Sequence, residues 1–139
     1  MRQYGPDVLD VADPLTRAYV AVCTAPPWQH RNPAGTGAAF RERLTADARR
    51  PGFRAVLSFG TDAEVDGFVT GWITEAPFRT ERACGSVTER LGADRVDELL
   101  VGALEIDELG VRPGLAAPGW AAGCCPRRPA GRPAAGPGS

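Results

Sequence analysis

The sequence predicts an α/β or α+β domain, a sheet with helices covering a face. Three observations carry this. Two stretches with helical spacing open the chain, and two strand-like runs joined by a short turn follow them. A last strand-like run, Ala103 to Val111, then closes the part that reads as folded. At 139 residues the chain is long enough for one such domain and not for two.

Residues 1–12 read as extended or irregular, with a short strand near Val8-Leu9. Asp13-Pro14 is a helix start, an N-cap followed by proline in the first turn. Leu15, Ala18, Tyr19 and Val22 then recur on one helical face, predicting a helix to about Cys23 that Pro26-Pro27 ends. The loop from Pro26 to Gly37 holds Trp28, His30 and Asn32 and reads as surface-facing. A second helix covers roughly Thr36 to Arg49, with Phe40, Leu44 and Ala48 inward, and Pro51-Gly52 stops it.

Phe53–Phe59 and Val65–Thr74 are β-branched and aromatic runs around a turn, which is a hairpin. Gly67 and Gly71 inside the second run mark a bulge or a close approach on that face. A short helix is expected around Ser86 to Leu91. Asp94 then caps another, with Val96, Leu99 and Leu100 inward.

The final run is unusual. Leu104, Ile106, Leu109 and Val111 give it strand character, while Glu105, Asp107 and Glu108 place three carboxylates inside it. Carboxylates are poor strand formers and costly to bury without partners. Such a strand is an exposed edge kept soluble by charge, or the wall of a polar site. Gly110 interrupts the alternation, the mark of a bulge, of the kind that borders active sites, or of a close approach to backbone.

After Pro113 the composition changes. Six Pro, six Gly and seven Ala fall among residues 113–139, and no apolar period survives, so 114–139 is expected to be a disordered tail.

Net charge is −1, which gives no bulk electrostatic case for nucleic acid or an anionic membrane. All 17 acids lie at or before Glu108, so the remainder carries only arginine and no acid. Arg127, Arg128 and Arg132 come without interleaved aromatics and make no nucleic-acid site. Lysine is absent throughout, and with abundant Ala, Gly and Pro this points to a GC-rich coding sequence. Cys23, Cys84 and the adjacent Cys124-Cys125 form no C-x-x-C, and His30 is the one histidine, so no metal site is expected. No secretory or membrane-spanning apolar run is present, and the expected compartment is the reducing cytoplasm with free thiols.

Tyr19-x-x-Val22 with Pro26-Pro27-Trp28, then Val65-Asp66-Gly67-Phe68-Val69-Thr70-Gly71-Trp72, then Glu105-Ile106-Asp107-Glu108-Leu109-Gly110-Val111-Arg112-Pro113, occur in that order. Over residues 4–113 the chain resembles the GNAT superfamily of N-acetyltransferases, the last segment being similar to the family's fourth strand. The resemblance implies a mixed, mainly antiparallel sheet with flanking helices, incomplete at the C-terminus. It implies acetyl transfer from acetyl-CoA, as co-substrate, to a small-molecule or peptide amine. On it, Glu105 matches a catalytic base, Leu109, Gly110 and Val111 offer backbone to the acetyl and pantetheine parts, and Trp28 and Trp72 wall the acceptor pocket. Each tryptophan also reads as an ordinary core aromatic.

The family's next element, a glycine-rich loop holding the pyrophosphate at a helix N-terminus, is absent from Gly114 to Trp120. Read two bases later along its own codons, the tail acquires Gly at Trp120-Ala121 and Leu at Cys124-Cys125 whatever codons are used. The expectation is a frameshifted end, and an impaired or inactive enzyme in this form. The alternative is a non-catalytic module that binds a partner through the exposed last strand. An open sheet edge also implies a homodimer.

Overall fold

The computed structural model describes residues 1–81 and 84–115. Among these lie four strands, β1 (Arg2–Tyr4), β2 (Arg54–Phe59), β3 (Val65–Ile73) and β4 (Leu104–Val111). A 3-10 helix (Pro6–Val11) leads into α1 (Ala12–Thr24) and α2 (Pro33–Asp47), and α3 (Cys84–Leu91) and α4 (Ala93–Leu99) link β3 to β4. The sheet order is β1-β2-β3-β4, and each neighbouring pair is antiparallel. The architecture is mixed α+β. Of the tail expected from 114 on, all but 114–115 lies outside the described residues.

The first residues depart from expectation. Val8-Leu9 is not a strand but part of the 3-10 helix, because Pro6 fixes a helical φ at its start. The Val8 N–H donates to the Gly5 carbonyl (3.0 Å), and Asp7 Oδ1 accepts from the Gly5 N–H (2.7 Å). Val8 is completely buried. The strand forms earlier, at Arg2–Tyr4.

α1 begins at Ala12, so Asp13 is a first-turn residue rather than the cap, and it pairs with Arg41 of α2. Leu15 and Ala18 are buried, with Tyr19 and Val22 packed beside them as the periodicity predicts. α2 starts at Pro33, three residues ahead of the expected Thr36, because the Asn32 side chain accepts from the Gly35 N–H (3.0 Å). Phe40 and Leu44, with Ala48 just past the helix end, complete its buried stripe. In α4, Val96 is buried but Leu99 points outward. The helix is only two turns long and offers one inward position.

Two bulges shape the sheet. Between β2 and β3, Ser58 pairs with Gly67 and Phe59 with Val65, so Asp66 is the extra residue and Val65 turns into the core. Between β3 and β4, Thr70 pairs with Glu108 and Gly71 with Ile106, so Asp107 is the extra residue. The bulge therefore lies at Asp107, not at Gly110. Gly110 is constrained differently: a Cβ there would come within 2.6 Å of the Phe68 ring.

The bulge at Asp107 decides which side chains face the helices. Cross-strand partners share a face. Glu105 partners Trp72, Glu108 partners Thr70 and Gly110 partners Phe68, and Trp72, Thr70 and Phe68 are all buried on the helical side. Glu105 and Glu108 are an odd number of residues apart and would point oppositely in a regular strand. With one extra residue between them they point the same way. Leu104, Ile106 and Leu109 take the other face, where they are 59%, 54% and 73% exposed.

Candidate functional site

The carboxylates of β4 stand beneath a helical layer and are met there by arginines. Glu105 pairs with Arg79, and its Oε2 receives a long contact (3.4 Å) from the Thr74 hydroxyl. Glu108 pairs with Arg43 of α2 at 2.7 Å. The strand is thus polar on its inner face and also an edge of the described sheet, so each of the two sequence readings describes part of it.

Glu105 lines a cavity of about 230 Å³, shared with Trp72, Thr74 and Arg50 and with Pro77 and Arg79 of the β3–α3 connection. Trp72 is its aromatic wall. The Arg50 guanidinium lies 4.7 Å from the Trp72 ring centroid and that of Arg79 lies 5.2 Å away, so two cations rest on one indole. Arg50 is steadied through its Nε by Asp47 (2.7 Å). Burial pulls the Arg79 guanidinium's pKa down, but its contact with the Cys84 thiol and the charges of Glu105 and Asp107 push it above its ordinary value. Arg79 stays a cation.

The second carboxylate belongs to a separate network. Arg43 donates to the Tyr19 hydroxyl (3.2 Å) as well as to Glu108, and its guanidinium lies 5.6 Å from the Tyr19 centroid and 5.8 Å from that of Phe40. Tyr19 and Phe40 stack at 4.0 Å. Burial raises the Tyr19 phenol above its ordinary value despite the opposing pull of Arg43. This network joins α1, α2 and β4 across the inner face. Glu108 is tied into the helical layer.

Leu109, Gly110 and Val111 sit elsewhere. With Val56, Val69 and Leu115 they line a largely apolar hollow of about 500 Å³ on the outer face of the sheet. Glu105 and this hollow are on opposite faces, separated by the thickness of β4, whose outer edge no described strand pairs. Arg112 follows, held by Asp66 (3.0 Å) and Asp62 (3.7 Å).

Trp28 and Trp72 are not brought together. Trp72 is buried in the Glu105 cavity, while Trp28 is 65% exposed on the α1–α2 loop and lines no part of that cavity. Arg50, Thr74 and Arg79 are the residues that sequence reasoning missed. Thr74 had a signal, since it follows Trp72 by one strand period on the same face; Arg50 and Arg79 had none. Among the described residues no group of His, Cys, Asp and Glu is placed to hold a metal ion, and no helix is long and apolar enough to cross a membrane. No family model matches the chain, and no curated protein or solved structure matches it.

Proposed function

We propose that residues 1–113 are the first part of a GNAT-like N-acetyltransferase domain, whose chemistry is acetyl transfer from acetyl-CoA to a primary amine. The observation that carries this reading is the bulge at Asp107 in β4. It aims Glu105 into a polar cavity on one face while the backbone of Leu109–Val111 continues along the strand's open edge. An amine entering from the helical side and an acyl thioester lying along the edge would meet at that strand.

In this reading the acceptor ammonium gives its proton to Glu105, through the Oε2 that receives the long Thr74 contact, while Arg79 keeps Oε1. The freed amine attacks the acetyl carbonyl carbon, the C–N bond forms, and the C–S bond breaks with the thiolate taking up a proton. An N–H of Leu109 or Val111 then donates to the carbonyl oxygen as charge develops on it. Trp72 forms the floor under the acceptor. Trp28 stands at the surface of the α1–α2 loop, suited to the rim of the acceptor site rather than its floor.

The described residues fit the acyl-pantetheine part of the co-substrate and not its phosphates. No described helix N-terminus follows β4, and Arg112 just beyond it is engaged by Asp62 and Asp66. A few backbone hydrogen bonds at about 0.5–1.5 kcal/mol each fall short of the roughly 7 kcal/mol needed for ten-micromolar binding. On the described residues alone, acetyl transfer would be impaired.

A second reading is favoured by one observation. Leu104, Ile106 and Leu109 form an exposed apolar row on an edge strand, the form of a surface that takes another chain. Under it the protein is a non-catalytic binding module or a homodimer through that edge. Thiol release from acetyl-CoA separates the two: an amine-dependent signal that drops in Glu105→Gln supports transfer. No signal from any amine, with the codons after 113 read in either frame, supports the module.

A further inference from the structure

We infer that the Glu105 cavity takes a free α-amino acid, reading its carboxylate as well as its amine; this rests on the acceptor reading of that cavity. A site for a simple amine needs a carboxylate and an apolar wall. This cavity holds more than that. Two guanidiniums, those of Arg50 and Arg79, lie over the Trp72 ring at 4.7 and 5.2 Å, on the same lining as Glu105. Guanidinium is the group best shaped to bind a carboxylate with two parallel hydrogen bonds.

The charges are arranged as the complement of a zwitterion. Arg79 and Glu105 form an ion pair, so an incoming ammonium and carboxylate lying antiparallel to it place each charge beside its opposite. Glu75 joins Glu105 on the lining, so two guanidiniums face two carboxylates and a ligand of no net charge leaves that balance unchanged. A bare amine or a bare acid would add one uncompensated charge to it. Trp72, Ala76 and Pro77 supply apolar surface for the side chain.

Size limits the ligand further. At about 230 Å³ the cavity is below the 300–1,000 Å³ of ordinary drug-sized sites. It suits one residue and not a peptide, whose N-terminal residue carries an amide in place of the carboxylate.

The test uses binding rather than turnover, so it does not depend on acetyl transfer. L-Leucine, 3-methylbutylamine and 4-methylpentanoate share one carbon skeleton and differ in which charged groups they carry. Each is titrated into the full chain, following the Trp72 indole N–H by NMR, assigned by comparison with Trp72→Phe. L-Leucine is expected to bind at least tenfold more tightly than either analogue. In Arg79→Gln that preference over the amine should fall at least fivefold. Equal affinity for L-leucine and the amine overturns the inference, even if acetylation of amines is then observed. No binding by any of the three also overturns it, and leaves acetyl-CoA binding as the separate test of the transferase reading.

Discussion

Gly71 in β3 lies directly against the carbonyl oxygen of Glu105 in β4, closer than any side chain would allow, with the Ile106 Cα 3.4 Å from where a Cβ would stand. This contact sits beside the step at which Asp107 is inserted. The strand that carries the candidate base therefore depends on a residue without a side chain in its neighbour. Gly71→Ala must push β4 away from β3, since the obstructing atoms are backbone and cannot rotate aside. Overpacking of this kind costs about 1–3 kcal/mol. Urea unfolding should show that loss, and a variant as stable as the parent would mean the two strands are not so closely apposed.

Arg43 is the link between α2 and the inner face of β4. Its side chain is 39% exposed and that of Glu108 only 20%, so removing the cation takes a charged hydrogen bond from a carboxylate that solvent reaches poorly. Arg43→Ala should cost about 1.5–3 kcal/mol, the range for a hydrogen bond to a charged group. Arg17→Ala, which breaks an exposed pair with Glu64 on another part of the surface, should matter much less. Similar effects from the two variants would contradict the assignment of Arg43 as an interlayer tie.

The Tyr19 phenol gives a pH dependence. Its folded-state pKa lies above the ordinary value of 10.0, chiefly through burial, so the folded chain holds the phenolic proton more tightly than the unfolded chain. The corresponding stability is fully present below pH 10 and is lost as pH rises through the folded value. Tyr19→Phe should remove part of that alkaline loss. Unfolding free energies measured across the alkaline range, with the two proteins falling in parallel, would count against it.

The exposed row on β4 predicts association. Leu104, Ile106 and Leu109 share one face of an edge strand, and Leu109 also lines the outer hollow. The protein should form dimers or larger species at micromolar concentrations, and Leu109→Glu should shift it toward monomer without changing its fold. Light scattering after size exclusion reads this directly. A parent protein that is monomeric throughout would remove the dimer reading.

Much of the scaffold was legible because it rests on local signals. The hairpin of β2 and β3 follows from β-branched and aromatic runs around a turn, and the buried faces of α1 and α2 from their spacing. The start of α2 was legible too, since Asn32-Pro33 is a cap followed by a first-turn proline, though Thr36 was expected. The bulge had a clearer mark than the one assigned to it. The apolar residues of β4 change phase between Ile106 and Leu109, from even to odd positions, and that change locates Asp107 without reference to Gly110. The arginines were a different matter. Arg43, Arg50 and Arg79 meet β4 or Trp72 only because α2 and the β3–α3 connection fold back over the sheet. Nothing in the residues around them distinguishes them from solvated charges.

Acetyl-CoA titrated calorimetrically into two forms of the chain tests the transferase reading most directly. One form is the chain as it stands, and the other has the codons after 113 read two bases later. The first should bind weakly or not at all, because its described residues offer the phosphates no cradle. The second should bind in the micromolar range and release thiol in the presence of an amine. Tight binding by the first form would contradict the frameshifted tail, and failure of both forms to bind would contradict the acetyltransferase reading itself.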